Sequence, residues 1–174
     1  HITQHKDFLI SVDQSRYCLA IVKKYLANAT IPPNDKRHGW TLPNEIVFMN
    51  DDASKNDVLI ENLMREYNIH FCACIGALIY LTATRIDISF AVHKLAKFSA
   101  KPGHVHFIAL VHLLRYLRDN LFLGLKYYPR LENAPLADLL RTAGIETKNP
   151  LMVFSDSSWQ DCPDTGRRTA IYIV

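Results

Sequence analysis

Residues Cys74–Tyr128 decide the fold, and they read CIGALIYLTATRIDISFAVHKLAKFSAKPGHVHFIALVHLLRYLRDNLFLGLKYY. After Asp87, apolar residues recur at the spacing of one face of an α-helix. These residues are Ile88, Ala91, Val92, Leu95 and Phe98. Pro102-Gly103 is expected to end this helix, because proline lacks a backbone N–H and glycine accepts a positive φ.

A second apolar face follows the Lys-Pro-Gly turn. It consists of Phe107, Leu110, Val111, Leu114 and Leu117. This spacing predicts a helix that ends near Asp119-Asn120. Residues Leu123–Tyr128 then alternate in the manner of a short strand. The whole stretch therefore predicts a helical hairpin followed by a strand.

Toward the N-terminus, Phe8–Val12 is typical of a short strand. Asp13 or Ser15 is expected to cap a helix that runs to about Ala27. The inner face of this helix is predicted to be Cys18, Ile21, Val22, Tyr25 and Leu26. Residues 28–57 are rich in Pro, Asn and Asp and are interpreted as a long surface connection.

Two further helices are predicted before the hairpin. Asn56 or Asp57 is expected to cap a helix over Val58–Tyr67. Phe71–Thr84 is apolar enough to form a buried helix, and its small residues are expected to let a neighbouring element approach closely. These small residues are Ala73, Gly76 and Ala77.

Toward the C-terminus, the pattern changes from helix to strand. Leu136–Ala143 is predicted to form a short helix with a glycine after it. Leu151–Phe154 and Arg167–Val174 are predicted to be two strands of an antiparallel hairpin, joined by a turn over Ser155–Thr165. The elements together predict a mainly helical α+β fold.

The positive charge is concentrated in the helical hairpin. The chain has 174 residues and a formal net charge of +3, with 8 Lys/Arg and 2 Asp/Glu in residues 85–130. Residues 1–84 carry 8 Lys/Arg and 9 Asp/Glu, and residues 131–174 carry 4 Lys/Arg and 6 Asp/Glu. A phosphate-facing surface has this distribution, and so does an ordinary solvated helix face. No uninterrupted apolar run of about 18 residues is present, so no membrane span is predicted.

Cysteine and histidine side chains give a weak metal signal. The four cysteines have no framework spacing, which favours a reducing compartment. On a helix, Cys72 and Cys74 point apart, so they are interpreted as buried thiols and not as zinc ligands with His70. Three further histidines around the second hairpin helix are expected to cap, pack or lie at the surface. They are His104, His106 and His112.

The exact residue order of four segments is more specific for a protein family than their periodicity is. They are IGALIYLTATRIDISFAVHKLAKF, KPGHVHF, LLRYLRDNLFLGLKYY and, at Phe154–Arg168, FSDSSWQDCPDTGRR. In this order they resemble the Pol polyprotein of Ty1/copia-type retrotransposons, from the region after the reverse transcriptase palm into ribonuclease H. The resemblance covers residues 74–174 well and residues 1–73 loosely. Ile86 stands where the family usually has proline, and Ala170-Ile171 where it has a small Ser-Gly pair.

The resemblance implies a domain organisation. Residues 1–130 are expected to form a helical thumb and connection region, residues 131–150 a linker with a short helix, and residues 151–174 the first β-hairpin of an incomplete ribonuclease H-like domain. The chain is therefore interpreted as a fragment of a longer transposable-element polyprotein. The resemblance implies an intracellular location in the cytoplasm, for example in a virus-like particle. It also allows a nuclear stage.

Asp156 is the candidate catalytic and metal-binding residue. It occupies the position of the first metal-binding aspartate of copia-type ribonuclease H, where several carboxylates hold Mg²⁺ in the intact enzyme. The later carboxylates of that site and the palm Asp-Asp motif are expected to lie outside this chain; Asp161 and Asp164 are interpreted as turn residues. The parent resembles an RNA-directed DNA polymerase and hybrid ribonuclease, but this chain alone is predicted neither to polymerise nor to cleave.

Five cations are the candidates for nucleic-acid binding. They are Lys94, Lys97, Lys101, Arg115 and Arg118. The three lysines, at i, i+3 and i+7, are expected to form one helical stripe. The resemblance implies an RNA–DNA hybrid or template–primer duplex as the partner, together with the rest of the Pol polyprotein. Two alternatives stay open: a non-catalytic helical interaction remnant of a degenerate element, and a free-standing basic nucleic-acid-binding module.

Overall fold

A computed structural model gives the fold of the chain. It describes residues 1–27, 29, 56–130, 137–142, 144, 154–157 and 170–173. Most of the predicted connection over 28–57 lies outside the described residues. The same holds for most of the predicted linker and for residues 158–169 of the predicted turn and second strand.

The chain divides into two compact units, His1 with Val12–Leu125 and Ile2–Ser11 with Lys126–Val174. The first unit is helical. Its helices are α1 Ser15–Tyr25, α2 Asp57–Tyr67, α3 Phe71–Leu81, α4 Ser89–Ala96 and α5 His104–Asp119, with a 3₁₀ turn at Ile86–Ile88. The domain limits that the resemblance implies stay a prediction.

Local hydrogen bonds explain where the first helices begin and end. The Asn56 side chain accepts a hydrogen bond from the Leu59 N–H at 2.9 Å, so the predicted cap of α2 is confirmed. Asn68 ends α2 in the left-handed conformation, with φ 52°. The N-cap residue of α1 is Gln14, so the predicted cap at Asp13 or Ser15 is wrong. Asp13 instead accepts hydrogen bonds from the backbone N–H and hydroxyl of Ser15, the first residue of the helix.

Helix α5 lies at the centre of the helical unit and packs against α1, α2 and α4. All of the predicted inner residues of α1 and α5 are buried, and α5 ends at Asp119 as predicted. Burial of α5 extends beyond the predicted face, because Leu113, His112 and Tyr116 are also inside. The buried surface of α5 is therefore wider than the single apolar face that the sequence predicted.

Helix α3 differs from its prediction in two respects. It ends at Leu81, not Thr84, and only one side of it is buried. Ala73 and Gly76 are exposed, and no atom lies within 4 Å of a Cβ added at Gly76. The expectation of a close neighbour is therefore wrong for Ala73 and Gly76, whereas Ala77 is partly buried against the core.

A three-stranded sheet has the order β1-β2-β3, with β1 at Ile2–Gln4, β2 at Ile10–Val12 and β3 at Leu125–Tyr127. Strands β2 and β3 are shorter than predicted, and β1 was not predicted. Phe8, in the turn between β1 and β2, has φ 63°, a conformation that costs free energy for a bulky residue. Gly124 precedes β3, and a Cβ added there would meet the Val12 carbonyl oxygen at 2.5 Å.

The second unit contains α6 at Ala137–Thr142, which confirms the predicted short helix to within a residue at each end. Gly144 has φ 71° and its N–H donates to the Arg141 carbonyl at 3.0 Å, as a helix C-terminus requires. Strands β4, Phe154–Ser157, and β5, Ala170–Ile173, pair antiparallel. The predicted turn at Ser155–Thr165 is thus wrong for its first three residues, which are strand. The predicted α+β class is confirmed.

Candidate nucleic-acid interface

The five candidate cations belong to a segment without acids. From Ile88 to Arg118 the sequence has Lys94, Lys97, Lys101, Arg115 and Arg118 and no Asp or Glu. This segment contains α4, the following turn and α5 up to Arg118. We refer to residues 88–118 as the acid-free segment. Because its own carboxylates are absent, any surface that it presents to solvent is either neutral or positive.

The three lysines do not form a helical stripe. Helix α4 ends at Ala96, so Lys97 and Lys101 lie in the turn and only Lys94 lies on the helix. Hydrogen bonds between residues three apart replace the helical pattern here, as in the Phe98 N–H to Leu95 carbonyl contact at 3.1 Å. Pro102 ends the turn region and not the helix itself.

The exposure of the lysines still suits a charged partner. Lys97 and Lys101 are exposed, and Lys94 is partly buried. The ammonium of Lys94 lies 4.8 Å from the ring centroid of Phe90, one helical turn earlier. Such a cation–π contact holds a lysine side chain against an apolar surface while its charge stays near solvent.

The two arginines of α5 differ from each other. Arg115 is partly buried. Arg118 is exposed and its Nε lies 2.7 Å from Asp119 Oδ1. The hydrogen bond to Asp119 raises the pKa of Arg118, with the carboxylate charge adding to the effect. Arg118 therefore offers less uncompensated charge to a phosphate than Lys97 or Lys101 does.

The histidines near the turn have structural roles, as predicted. His104 Nε2 lies 3.0 Å from the Tyr67 hydroxyl, which ties the start of α5 to the end of α2. His106 Nδ1 accepts a hydrogen bond from the Gly103 N–H at 2.9 Å, and its ring stacks on Phe98 at 4.1 Å. These contacts fix the turn that carries Lys97 and Lys101.

A buried ionic cluster precedes the acid-free segment, and the sequence analysis missed it. Arg85 is only 1% exposed, and its Nε and Nη2 donate to the two Asp87 oxygens at 2.9 and 2.7 Å. Its Nη1 donates to the Asn120 carbonyl at 2.7 Å, and the Tyr116 hydroxyl donates to Asp87 at 3.0 Å. The Arg-x-Asp spacing was the available signal. The cluster fastens the end of α5 to the turn that begins α4.

The electrostatics of this cluster favour its ionised form. Partial burial opposes the charge of Asp87, but the hydrogen bonds and charge of Arg85 outweigh it and hold the pKa of Asp87 below its ordinary value. Burial likewise opposes the charge of Arg85, and Asp87 more than compensates, so the pKa of Arg85 is raised. Burial, followed by the nearby carboxylate, raises the pKa of Tyr116. The Asp87 charge is thus already balanced within the protein.

Asp156 lies inside β4, opposite Ile171 of β5. Its register places it one residue before the end of the strand, whereas the sequence predicted that it would lie in the turn after the strand. Asp161 and Asp164 lie outside the described residues. Within the described part of the chain, no three His, Cys, Asp or Glu side chains group as metal ligands do. A single carboxylate does not fit a two-metal site, so the residues described here do not assemble one.

The cysteines separate into two environments. Cys18 and Cys74 are buried, and burial raises the pKa of both thiols. Cys72 is exposed, so its assignment as a buried thiol is wrong. His70 caps α3, since its Nδ1 accepts a hydrogen bond from the Ala73 N–H at 3.3 Å. Among the helices that the structure describes, none has the length and apolar character needed to cross a membrane.

Comparisons with known proteins give a coarse family relationship. No protein-family model matches the chain, and no solved structure matches it. The uncharacterized mitochondrial protein AtMg00240 of Arabidopsis thaliana is 34% identical over 88 residues, which are 51% of this chain and 65% of that protein. The uncharacterized mitochondrial protein AtMg00810 of the same plant is 32% identical over 99 residues, 57% of this chain and 35% of that protein.

A third relative comes from a different organism. The secreted RxLR effector protein 161 of Plasmopara viticola is 29% identical over 107 residues, 61% of this chain and 64% of that protein. The chain thus spans less than two thirds of each relative. The two plant proteins are retroelement-like, so the similarity supports a transposon-related origin of this chain.

Proposed function

We propose that the chain is the post-palm part of a Ty1/copia-type Pol polyprotein and that it holds an RNA–DNA hybrid by its phosphate backbone. The observation that carries this proposal is the acid-free segment. Its turn exposes Lys97 and Lys101, and the acids at its two ends, Asp87 and Asp119, are both paired with arginines. A phosphate backbone at this turn therefore meets positive charge without a competing carboxylate from the same segment.

Binding of this kind is independent of base sequence. Lysines contact phosphates as point charges and release condensed counterions, so affinity falls steeply as salt is added. Lys97 and Lys101 are the main contacts because they are exposed and follow a turn fixed by the His106 cap. Lys94 and Arg115 are partly buried and contribute less, and Arg118 shares its charge with Asp119.

For Asp156, we propose a role in the intact parent alone. The antiparallel pairing of β4 and β5 supports the start of a ribonuclease H-like sheet, in which Asp156 supplies one Mg²⁺ ligand. The remaining ligands and the other partners of the hybrid come from the rest of the polyprotein, inside the cell. Mg²⁺-dependent cleavage of an RNA–DNA hybrid by the purified chain, abolished by Asp156→Asn, contradicts this role.

The binding proposal is tested with the full 174-residue chain and a fluorescently labelled blunt RNA–DNA hybrid. Lys97→Ala/Lys101→Ala is expected to weaken binding about tenfold at low salt, because two phosphate contacts are lost. The matched control is Lys23→Ala/Lys126→Ala, which removes two exposed lysines outside the acid-free segment. Fluorescence anisotropy measures both. Equal losses in the two variants would show that only total charge matters.

A non-catalytic interaction remnant is the second candidate. The exposed apolar side of α3 favours it, since Ile79 and Tyr80 are 44% and 64% exposed. Under this candidate the chain has no affinity for the hybrid. Ile79→Asp/Tyr80→Asp would then change its self-association in sedimentation velocity, whereas Lys97→Ala/Lys101→Ala would change nothing.

A further inference from the structure

An aromatic side chain is exposed within the acid-free segment. Phe90, on the first turn of α4, is 39% exposed, and the ammonium of Lys94 lies 4.8 Å from its ring centroid. Lys97 follows Lys94 by three residues and is exposed. The exposed ring therefore has one cation against it, a second exposed cation just beyond the end of its helix, and no acid on that helix.

This combination suits unpaired bases better than a duplex. Bases of a duplex already stack on one another, and their backbone needs only cations. Single-stranded segments are held by cations that follow the phosphates and by aromatic rings on which the bases stack. Stacking on a side chain requires that the base be free, so an exposed phenylalanine contributes little to holding a blunt hybrid.

We propose that Phe90 stacks an unpaired base of a single-stranded extension next to the hybrid, while Lys94 and Lys97 contact the adjoining phosphates. This inference rests on the proposed function, because the same acid-free segment holds the duplex. It adds a ligand class, the single-stranded end of the template or primer. It also assigns to Phe90 a role that the charge pattern does not require.

The chain provides a matched control for this role. Phe122, in the turn after α5, is 87% exposed and lies outside the acid-free segment. Phe122→Ala removes the same side-chain atoms as Phe90→Ala. Phe90→Trp keeps an aromatic surface at the site, and a larger ring stacks at least as well. Both substitutions at Phe90 affect a partly exposed position, so the helical core is retained.

The test compares two hybrids with the same duplex, one blunt and one with a short single-stranded DNA extension that carries 2-aminopurine. The full chain is expected to bind the extended hybrid about tenfold more tightly than the blunt one. The 2-aminopurine fluorescence should change on binding, as it does when its stacking changes. Phe90→Ala should abolish both the preference and the fluorescence change, whereas Phe122→Ala and Phe90→Trp should keep them.

The outcomes separate this inference from the proposed function. If the wild-type chain binds both hybrids equally and remains salt-sensitive, the stacking role of Phe90 is refuted and the duplex-binding proposal stands. Loss of the preference in Phe122→Ala as well as in Phe90→Ala also refutes it. If neither hybrid binds at low salt, both proposals fail together.

Discussion

Helices α3 and α5 are both strongly apolar, yet the protein buries them differently. Helix α3, FCACIGALIYL, has no charged residue and leaves Ile79 and Tyr80 largely exposed. Helix α5, HVHFIALVHLLRYLRD, contains three histidines, two arginines and an aspartate, yet it is covered on nearly all sides. Helix α5 packs against α1, α2 and α4, whereas α3 packs against α1 and α4 and meets α5 where the Phe71 and Phe107 rings lie 5.1 Å apart. Position in the fold therefore decides burial more than composition does.

The two helices are also linked at one end by the buried ionic cluster. Arg85 follows α3 and reaches the Asn120 carbonyl at the end of α5, while Tyr116 of α5 reaches Asp87. A positively charged group at a helix C-terminus is favourable because the last carbonyls lack partners. Arg85, which follows the less covered helix α3, therefore holds the C-terminal end of the more covered helix α5.

The largest expected effect comes from equal truncations in the two helices. Leu113→Ala removes a fully buried side chain from the side of α5 that lies outside the predicted apolar face. It should lower the free energy of unfolding by about 3 kcal/mol. Ile79→Ala on the exposed side of α3 should change it by about 0.5 kcal/mol or less. Urea denaturation measures both. Similar changes in the free energy of unfolding for the two variants would contradict the difference in burial between α5 and α3.

A smaller loss of stability is expected when the ionic cluster between α3 and α5 is broken. Asp87→Asn leaves Arg85 buried without its carboxylate, so it should destabilise the protein by about 2 kcal/mol. Asp119→Asn is the control, because Arg118 is half exposed and surface pairs contribute about 1 kcal/mol or less. Equal effects at the two positions would mean that burial of Arg85 adds nothing.

The same cluster predicts a pH dependence with a definite sign. The pKa of Asp87 is lower in the folded protein than its ordinary value of about 4, so the unfolded chain binds its proton more readily. Its contribution is complete above about pH 4 and is lost as the pH falls through the lower folded-state pKa. Wild type should therefore lose more stability than Asp87→Asn between about pH 4 and pH 2, measured by urea denaturation.

The smallest effect is a gain. Gly76 lies in the exposed side of α3 with no atom within 4 Å of an added Cβ, so Gly76→Ala should stabilise the protein by about 0.8 kcal/mol. Gly124→Ala is its opposite, because the new Cβ would lie 2.5 Å from the Val12 carbonyl oxygen. Thermal unfolding should show a higher midpoint for the first and a lower one for the second. A loss of stability in Gly76→Ala would indicate that α3 has a neighbour there.

The sequence predicted helices better than it predicted their surroundings. The limits of α5 and the inner residues of α1 follow from periodicity, which is a local property. Burial of Leu113 depends on tertiary packing within the core, which periodicity does not report. The early end of α4 depends on hydrogen bonds within the turn after Ala96.

In the candidate site, too, local properties were predictable from the sequence and tertiary contacts were not. The cations were identifiable because charge is read directly from residue type, and their segment proved to be free of acids. The burial of Arg85 was not identifiable, because its carbonyl partner Asn120 lies 35 residues away and arginine is ordinarily exposed. Asp156 and the five cations stay predictions as functional residues.

The central claim is that the acid-free segment binds a hybrid backbone through its exposed lysines, Lys97 and Lys101. The most direct test is the salt dependence of binding between the full chain and a blunt RNA–DNA hybrid. The logarithm of the binding constant should fall against the logarithm of salt concentration with a slope of about −2, as two phosphate contacts at Lys97 and Lys101 require. A slope near zero, or no binding at low salt, would contradict the claim.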